Sequence, residues 1–144
     1  MSAFPGGGEG AGMSRYPVRS APSPIEGTGV FAAVKIPRRA KIGEVTGELI
    51  SVRTARQRAR GRCRICLIDV SDTHAIDCTG GNVLRLLNHS CRSSAFLRIF
   101  RNRVEVYARR PIRKGEEITV DYGESPHSGG MRCGCGDRQC RERI

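Results

Sequence analysis

From Ile25 onward, apolar positions fall in short runs and two-residue alternations separated by turn residues, which is the pattern of short strands. Val30 to Ile36 is a compact apolar run ended by Pro37, and Ile42 to Val52 carries β-branched residues interrupted by Gly43 and Gly47. Cys63 to Val70 and Ala75 to Cys78 read as two further strands, and Asn82 to Leu87 is apolar enough to be buried. Phe96, Arg98 and Phe100 alternate with Leu97 and Ile99. Beyond the turn Arg101-Asn102-Arg103, Val104, Val106 and Ala108 supply one face of a hairpin partner. Ile118, Val120 and Tyr122 alternate again after the Lys114-Gly115 turn. One helix is predicted, Arg53 to Arg62 starting near Thr54, with Ala55 and Ala59 four apart on a basic surface. The class is mainly β, with many short strands.

Residues 1–24 are rich in Gly, Ser, Pro and Ala and cannot bury enough apolar surface to order themselves, so a flexible lead is predicted. One internal echo stands out. Val30-Phe31-Ala32 with Ile36 matches Val106-Tyr107-Ala108 with Ile112 at the same spacing, and each is followed by a Gly-Glu pair, Gly43-Glu44 and Gly115-Glu116. It predicts two similar hairpins and is too short for a repeat architecture.

Composition narrows the classes. A chain of 144 residues suits one domain. With 5% aromatic residues and no Trp, the core must come from Val, Ile, Leu and Ala, and a metal clip would help so lean a domain. The net charge of +11 comes from 25 basic residues, of which only Lys35, Lys41 and Lys114 are lysines. Such a surface favours polyanions or acidic partners, nucleic acid among them; scattered solubilising charge is the plainer alternative. The sequence has no apolar run long enough for a membrane span and no signal-like N-terminal segment, so an intracellular protein is expected. Seven cysteines then point to thiols and metal rather than a disulfide framework.

The cysteines divide into groups. Cys133, Cys135 and Cys140 place three soft ligands in a glycine-rich stretch that can wrap one ion. Structural zinc needs four ligands, and Cys91, His89 and His127 are candidates for the fourth. Cys63 and Cys66 form a C-x-x-C, but Ile65, Leu67 and Ile68 around them read as strand core. Gly27-Thr28-Gly29 before an apolar strand is by itself only a turn signal.

Taken jointly, five segments are far more specific. Gly27-Thr28-Gly29-Val30-Phe31-Ala32, Gly43-Glu44-Val45-Thr46-Gly47-Glu48, Arg85-Leu86-Leu87-Asn88-His89-Ser90-Cys91, Gly115-Glu116-Glu117-Ile118-Thr119-Val120-Asp121-Tyr122-Gly123 and the closing cysteine cluster occur in one order. They resemble a SET domain with its post-SET zinc motif. The resemblance implies a mainly β SET fold of short strands in small sheets, with a C-terminal pseudoknot and a post-SET zinc clip. The SET domain would span residues 25–124 and the zinc-binding segment residues 125–144.

The implied function is protein-lysine N-methylation, a transferase reaction using S-adenosylmethionine. The substrate would be a lysine-bearing protein, histones included, and the setting cytoplasmic in a bacterium or nuclear and chromatin-bound in a eukaryote. Glu26, Gly27 and Thr28 would hold the methionine part of the cofactor through their backbone. Asn88 and His89 would hold it as well, His89 through backbone bonds to the adenine, with Arg85 in support. Tyr122 is the implied catalytic tyrosine and a cofactor contact, and Cys91 would complete a structural Zn2+ site with Cys133, Cys135 and Cys140.

The chain departs from the family pattern at several positions. Val45 and Val120 stand where many SET domains carry aromatic residues lining the lysine channel. Ser93-Ser94 replaces a Pro-Asn pair after Cys91, and Arg39 stands where glycine is usual. Val45, Val120 and Ser94 favour an alternative, a catalytically weak or silent SET-like module that binds protein or nucleic acid through its basic surface. Charge adds a second tension. Either Asp69, Asp72, Glu116, Glu117, Asp121 and Glu124 make a local acidic groove for a basic tail, or the substrate is not a histone tail.

Overall fold

The computed structural model describes residues 16–60 and 67–121. The expected mainly β class holds there: ten strands, one helix and one 3-10 turn (Val83–Leu86). The strands are β1 (Val18–Pro22), β2 (Thr28–Ala32), β3 (Lys41–Val45), β4 (Glu48–Ser51), β5 (Leu67–Asp69), β6 (His74–Asp77), β7 (Asn88–His89), β8 (Ala95–Phe100), β9 (Arg103–Ala108) and β10 (Glu117–Val120). They make three small sheets, ordered β1-β2-β10-β7, β3-β9-β8 and β4-β6-β5.

The echoed segments are not two hairpins. β2 pairs with β10 and β3 pairs with β9, so each echoed unit sends its two strands to partners in the other. At the centre Ile36 and Ile112, both fully buried, exchange backbone hydrogen bonds of 2.9 Å in each direction. The flanking bonds repeat the relation. Ala32 donates to Glu116 as Ala108 donates to Ala40, and Gly115 donates to Ala32 as Arg39 donates to Ala108. This gives a local pseudo-two-fold axis, with Val30, Ala32, Val106, Ala108 and Ile118 buried around it.

The lead predicted through residue 24 is corrected at its C-terminal end. β1 pairs with β2 along its whole length, from Val18↔Ala32 to Pro22↔Thr28, and Tyr16 and Val18 pack on the core. Its stability comes from backbone pairing that composition does not report, and an edge strand tolerates its terminal proline. The helix α1 (Val52–Arg60) starts earlier than Thr54 because Ser51 Oγ caps it, accepting from the Thr54 N–H at 3.0 Å. Arg58 fastens it to the sheet beneath, 2.9 Å from Glu48 and 2.8 Å from the buried Asp77. Cys78 corrects another expectation: it is fully buried and disulfide-bonded, where thiols and metal were expected. A cysteine count cannot place side chains. Among the described residues no helix is long and apolar enough to cross a membrane.

Candidate cofactor site

β10 organises the site because it is flanked on both edges. β2 runs antiparallel on one side (Ile118↔Val30), and β7 runs parallel on the other (Thr119↔Asn88, Val120↔His89). The Ser90 N–H continues the parallel ladder, donating to Val120 at 3.1 Å. The start of β2, the pair Asn88-His89 and the end of β10 therefore meet at one end of the sheet, although they are distant in sequence. This adjacency is what the expected pseudoknot requires.

The loop Ser23–Gly27 is fixed from within and from below. Its ends are closed by Ser23 N–H to Gly27 carbonyl at 2.8 Å, and the Ile25 N–H donates to Ser23 Oγ at 3.0 Å. Gly27 has φ +47°, a left-handed value that glycine adopts at no steric cost, and nothing lies within 4 Å of where its Cβ would be. Asn88, nearly buried, donates through Nδ2 to the Glu26 carbonyl at 3.0 Å and to Glu117 Oε2 at 3.1 Å. Ser23 Oγ is 2.9 Å from both oxygens of the same carboxylate. One acid thus ties the loop, the Asn88 amide and β10 together.

Of the sequence-predicted residues, the structure joins Glu26 to Asn88 directly and places Gly27 and Thr28 on the same loop and strand start. His89 is buried, with Nε2 3.3 Å from Cys91 Sγ and Nδ1 3.7 Å from the Asp121 carboxylate. The Nε2–Sγ spacing suits a hydrogen bond. Arg85 is exposed and donates to the Gly81 and Asn82 carbonyls, each at 3.2 Å, so it braces the 3-10 turn ahead of Asn88. Tyr122, His127, Cys133, Cys135 and Cys140 lie outside the described residues, as do Cys63 and Cys66.

Two contributors were missed by reading the sequence for cofactor contacts. Glu117 sits inside a quoted motif, where the sequence suggests only a place in an acidic groove, and Ser23 carries no signal beyond its place before Pro24. Glu117 is half-buried and accepts from Ser23 and Asn88, and Glu116 is paired with Arg110. Val45 and Val120 are core residues, 6% and 2% exposed.

Residues 27–123 match the family described as SET domain. Among curated proteins, the chain is 33% identical over 130 residues to an H3 lysine-4 specific histone-lysine N-methyltransferase of Schizosaccharomyces pombe, covering 83% of this chain and 14% of that protein. It is 33% identical over 134 residues to histone-lysine N-methyltransferase set-2 of Caenorhabditis elegans, covering 86% of this chain and 9% of that one. It is 30% identical over 128 residues to histone-lysine N-methyltransferase ASHH3 of Arabidopsis thaliana, covering 82% and 35%. The chain therefore spans a minor part of each relative. Among solved structures, an apo ctPRC2 assembly with two substitutions in Ezh2 superposes with a TM-score of 0.69 at 30% identity, covering 75% of this chain and 15% of that one.

Proposed function

This chain belongs to the SET-domain family, and from that premise we propose that it is a protein-lysine N-methyltransferase using S-adenosylmethionine. The observation that carries the proposal is the Asn88 Nδ2 bond to the Glu26 carbonyl at 3.0 Å, which locks together the two segments assigned to the cofactor. The residues fit such a ligand. Open space lies where a Gly27 Cβ would be, its carbonyl accepts from the Ser23 N–H, and Asn88 and Glu117 hold the loop in that pose before anything binds.

When bound, the cofactor supplies a methyl group on a positive sulfonium. Glu26, Gly27 and Thr28 hold its methionine part through backbone groups, Asn88 and His89 hold the remainder, and Arg85 keeps the preceding turn in place. The chain must then receive a neutral lysine amine. A free lysine is neutral only about once in 2,500 molecules at pH 7, which costs about 4.6 kcal/mol. A dry channel opposite a cation lowers that cost by desolvation and like-charge repulsion. Tyr122 is assigned the role of orienting the acceptor at the channel end, in near-attack geometry.

Cys91 would, with Cys133, Cys135 and Cys140, supply a four-thiolate donor set of the kind that suits structural zinc. The relatives' names support a histone substrate and a chromatin location in a eukaryote.

The test is label transfer from tritiated S-adenosylmethionine to core histones and lysate proteins. Tyr122→Phe is expected to collapse turnover with the circular dichroism spectrum unchanged. No transfer to any protein, with cofactor binding established by calorimetry, would leave the silent-module reading, which Val45 and Val120 favour.

A further inference from the structure

The β8–β9 hairpin carries a continuous ladder of rings and guanidinium groups on one face. Arg109 lies 5.6 Å over Phe96, whose ring stacks on Tyr107 at 5.8 Å. Arg98 lies 5.9 Å over Tyr107 and 5.2 Å over Phe100, and Arg101 lies 5.1 Å over Phe100. The register makes this one face. Phe96 pairs with Tyr107 across the strands, and the two-residue period brings Phe96, Arg98 and Phe100 to the same side. Phe100 is 44% exposed, so the ladder is not a buried core.

Beside it opens a cleft of about 600 Å³ lined by Arg38, Arg39, Arg98 and Arg109 together with Phe96, Tyr107 and Ala108. No carboxylate lines it. The acids nearest in the sheet, Glu44 and Glu105, are engaged by Lys41, with Arg103 also on Glu44 and Arg98 at 3.8 Å from Glu105. Among the described residues Arg38, Arg39, Arg101 and Arg109 form no ion pair.

Backbone conformation points to the same surface. Three described non-glycine residues have positive φ, and two are arginines on this face: Arg39 at 67° and Arg101 at 51°. The pseudo-two-fold counterpart of Arg39 is Gly115, at 88°. A left-handed position disfavours a residue with a Cβ, so glycine is the expected occupant and arginine the costly one. At Arg101 the positive φ belongs to the two-residue Arg101-Asn102 turn that closes the hairpin; at Arg39, arginine in place of the less strained glycine is consistent with a use for its guanidinium.

We propose that this face binds single-stranded nucleic acid, with phosphates on the cleft guanidiniums and bases on the arginine–aromatic ladder. Arginine and aromatic side chains interleaved on one face supply N–H donors for phosphates and ring surfaces for bases. A duplex keeps its bases stacked internally and offers only phosphates, and an acidic peptide offers charge without planar rings. The surface chemistry stands apart from the cofactor site and holds whether or not the chain transfers methyl groups.

The experiment is fluorescence anisotropy with a labelled oligothymidylate, titrated from low to physiological salt. The same strand in a duplex and a polyglutamate of equal charge serve as competitors. Single strand is expected to bind several-fold more tightly than either. Each guanidinium removed from the face lowers the log–log salt slope by about 0.7. Arg39→Gly relieves the strained position, so it should keep or raise Tm while weakening binding. Arg98→Gln with Arg109→Gln should weaken it further. Arg53→Gln with Arg56→Gln, exposed on α1, removes equal charge elsewhere and should change little. Equal losses from the α1 pair, or binding of duplex or polyglutamate as tight as single strand, overturns the proposal.

Discussion

Ser94 and Thr119 exchange hydrogen bonds in both directions: the Ser94 N–H donates to Thr119 Oγ1 at 3.1 Å, and the Thr119 N–H donates to Ser94 Oγ at 3.0 Å. Both residues are buried, at 1% and 6% exposure, and the Ser94 hydroxyl also donates to the Glu117 carbonyl at 3.2 Å. Ser94 therefore stitches the segment after Cys91 onto β10. The serine that marks a departure from the family's usual Pro-Asn is a working structural element.

Ser94→Ala is expected to cost about 1–3 kcal/mol, since it leaves the buried Thr119 N–H without that acceptor. Thr119→Val strips the reciprocal acceptor with little change of shape. The two losses should be strongly non-additive in a double-mutant cycle. Urea denaturation of the four proteins measures this, and full additivity would mean that the exchange is not an energetic unit.

One contribution to acid stability comes from a grid of charges on β3 and β9. Lys41 Nζ sits 2.9 Å from Glu44 and 3.1 Å from Glu105, Arg103 pairs with Glu44, and Arg98 and the Tyr107 hydroxyl approach Glu105. The Arg103 guanidinium, helped by Lys41, holds the Glu44 carboxyl below its ordinary 4.5 against the opposing effect of burial. Lys41 does the same for Glu105. Depressed carboxylates stabilise the fold above the unfolded value and lose that contribution as pH falls through the folded one. Glu44 holds the Lys41 ammonium above 10.5, so its contribution is complete below 10.5 and is lost as pH rises through the raised value. Glu44→Gln should lower Tm at neutral pH and flatten its fall between about pH 5 and 3. A Tm profile parallel to the parent would refute this assignment.

The sequence made the strands legible where apolar residues recur at every second position, as at Val104, Val106 and Ala108 of β9, all buried, and in β8, which shows the same alternation although Arg98, Ile99 and Phe100 are all exposed. It showed the echo around Ile36 and Ile112 but not its meaning. Spacing reports local pattern, whereas exchange of strands between two units is decided by which pairing buries both isoleucines. At the site, Glu26 to Thr28 and Asn88 were readable as motif residues. Ser23 and Glu117 were not read as part of the site, since a carboxylate serving as an internal strut has the same sequence appearance as a surface acid. The ladder on β8–β9 was visible only as alternation, since the positive φ of Arg39 and Arg101 belongs to the backbone.

Metal removal separates a structural clip from a dispensable tail. The donor set proposed around Cys91 predicts about one zinc per chain by elemental analysis, and Cys91→Ser should lower that content and the Tm together. A chelator should reproduce the variant's Tm in the parent protein, and zinc should restore it. Unchanged Tm on complete zinc removal would remove the clip from the account.

Glu117 offers the sharpest test of how the cofactor loop is held. Its carboxylate occupies the space left by Gly29, where a Cβ would approach Oε2 to 2.3 Å. Glu117→Ala removes the partner shared by Ser23 and Asn88, and Gly29→Ala displaces the same carboxylate from the opposite side. Both should weaken S-adenosylmethionine binding about tenfold, equivalent to about 1.4 kcal/mol. In each case Asn88→Ala added on top should cost less than it does alone, since all three act through the Asn88–Glu26 contact. Calorimetry reads the affinity, and thermal unfolding reads any general loss of fold. If both variants bind the cofactor as the parent does, Glu117 is a strut of the sheet alone, and the loop reaches its pose without it.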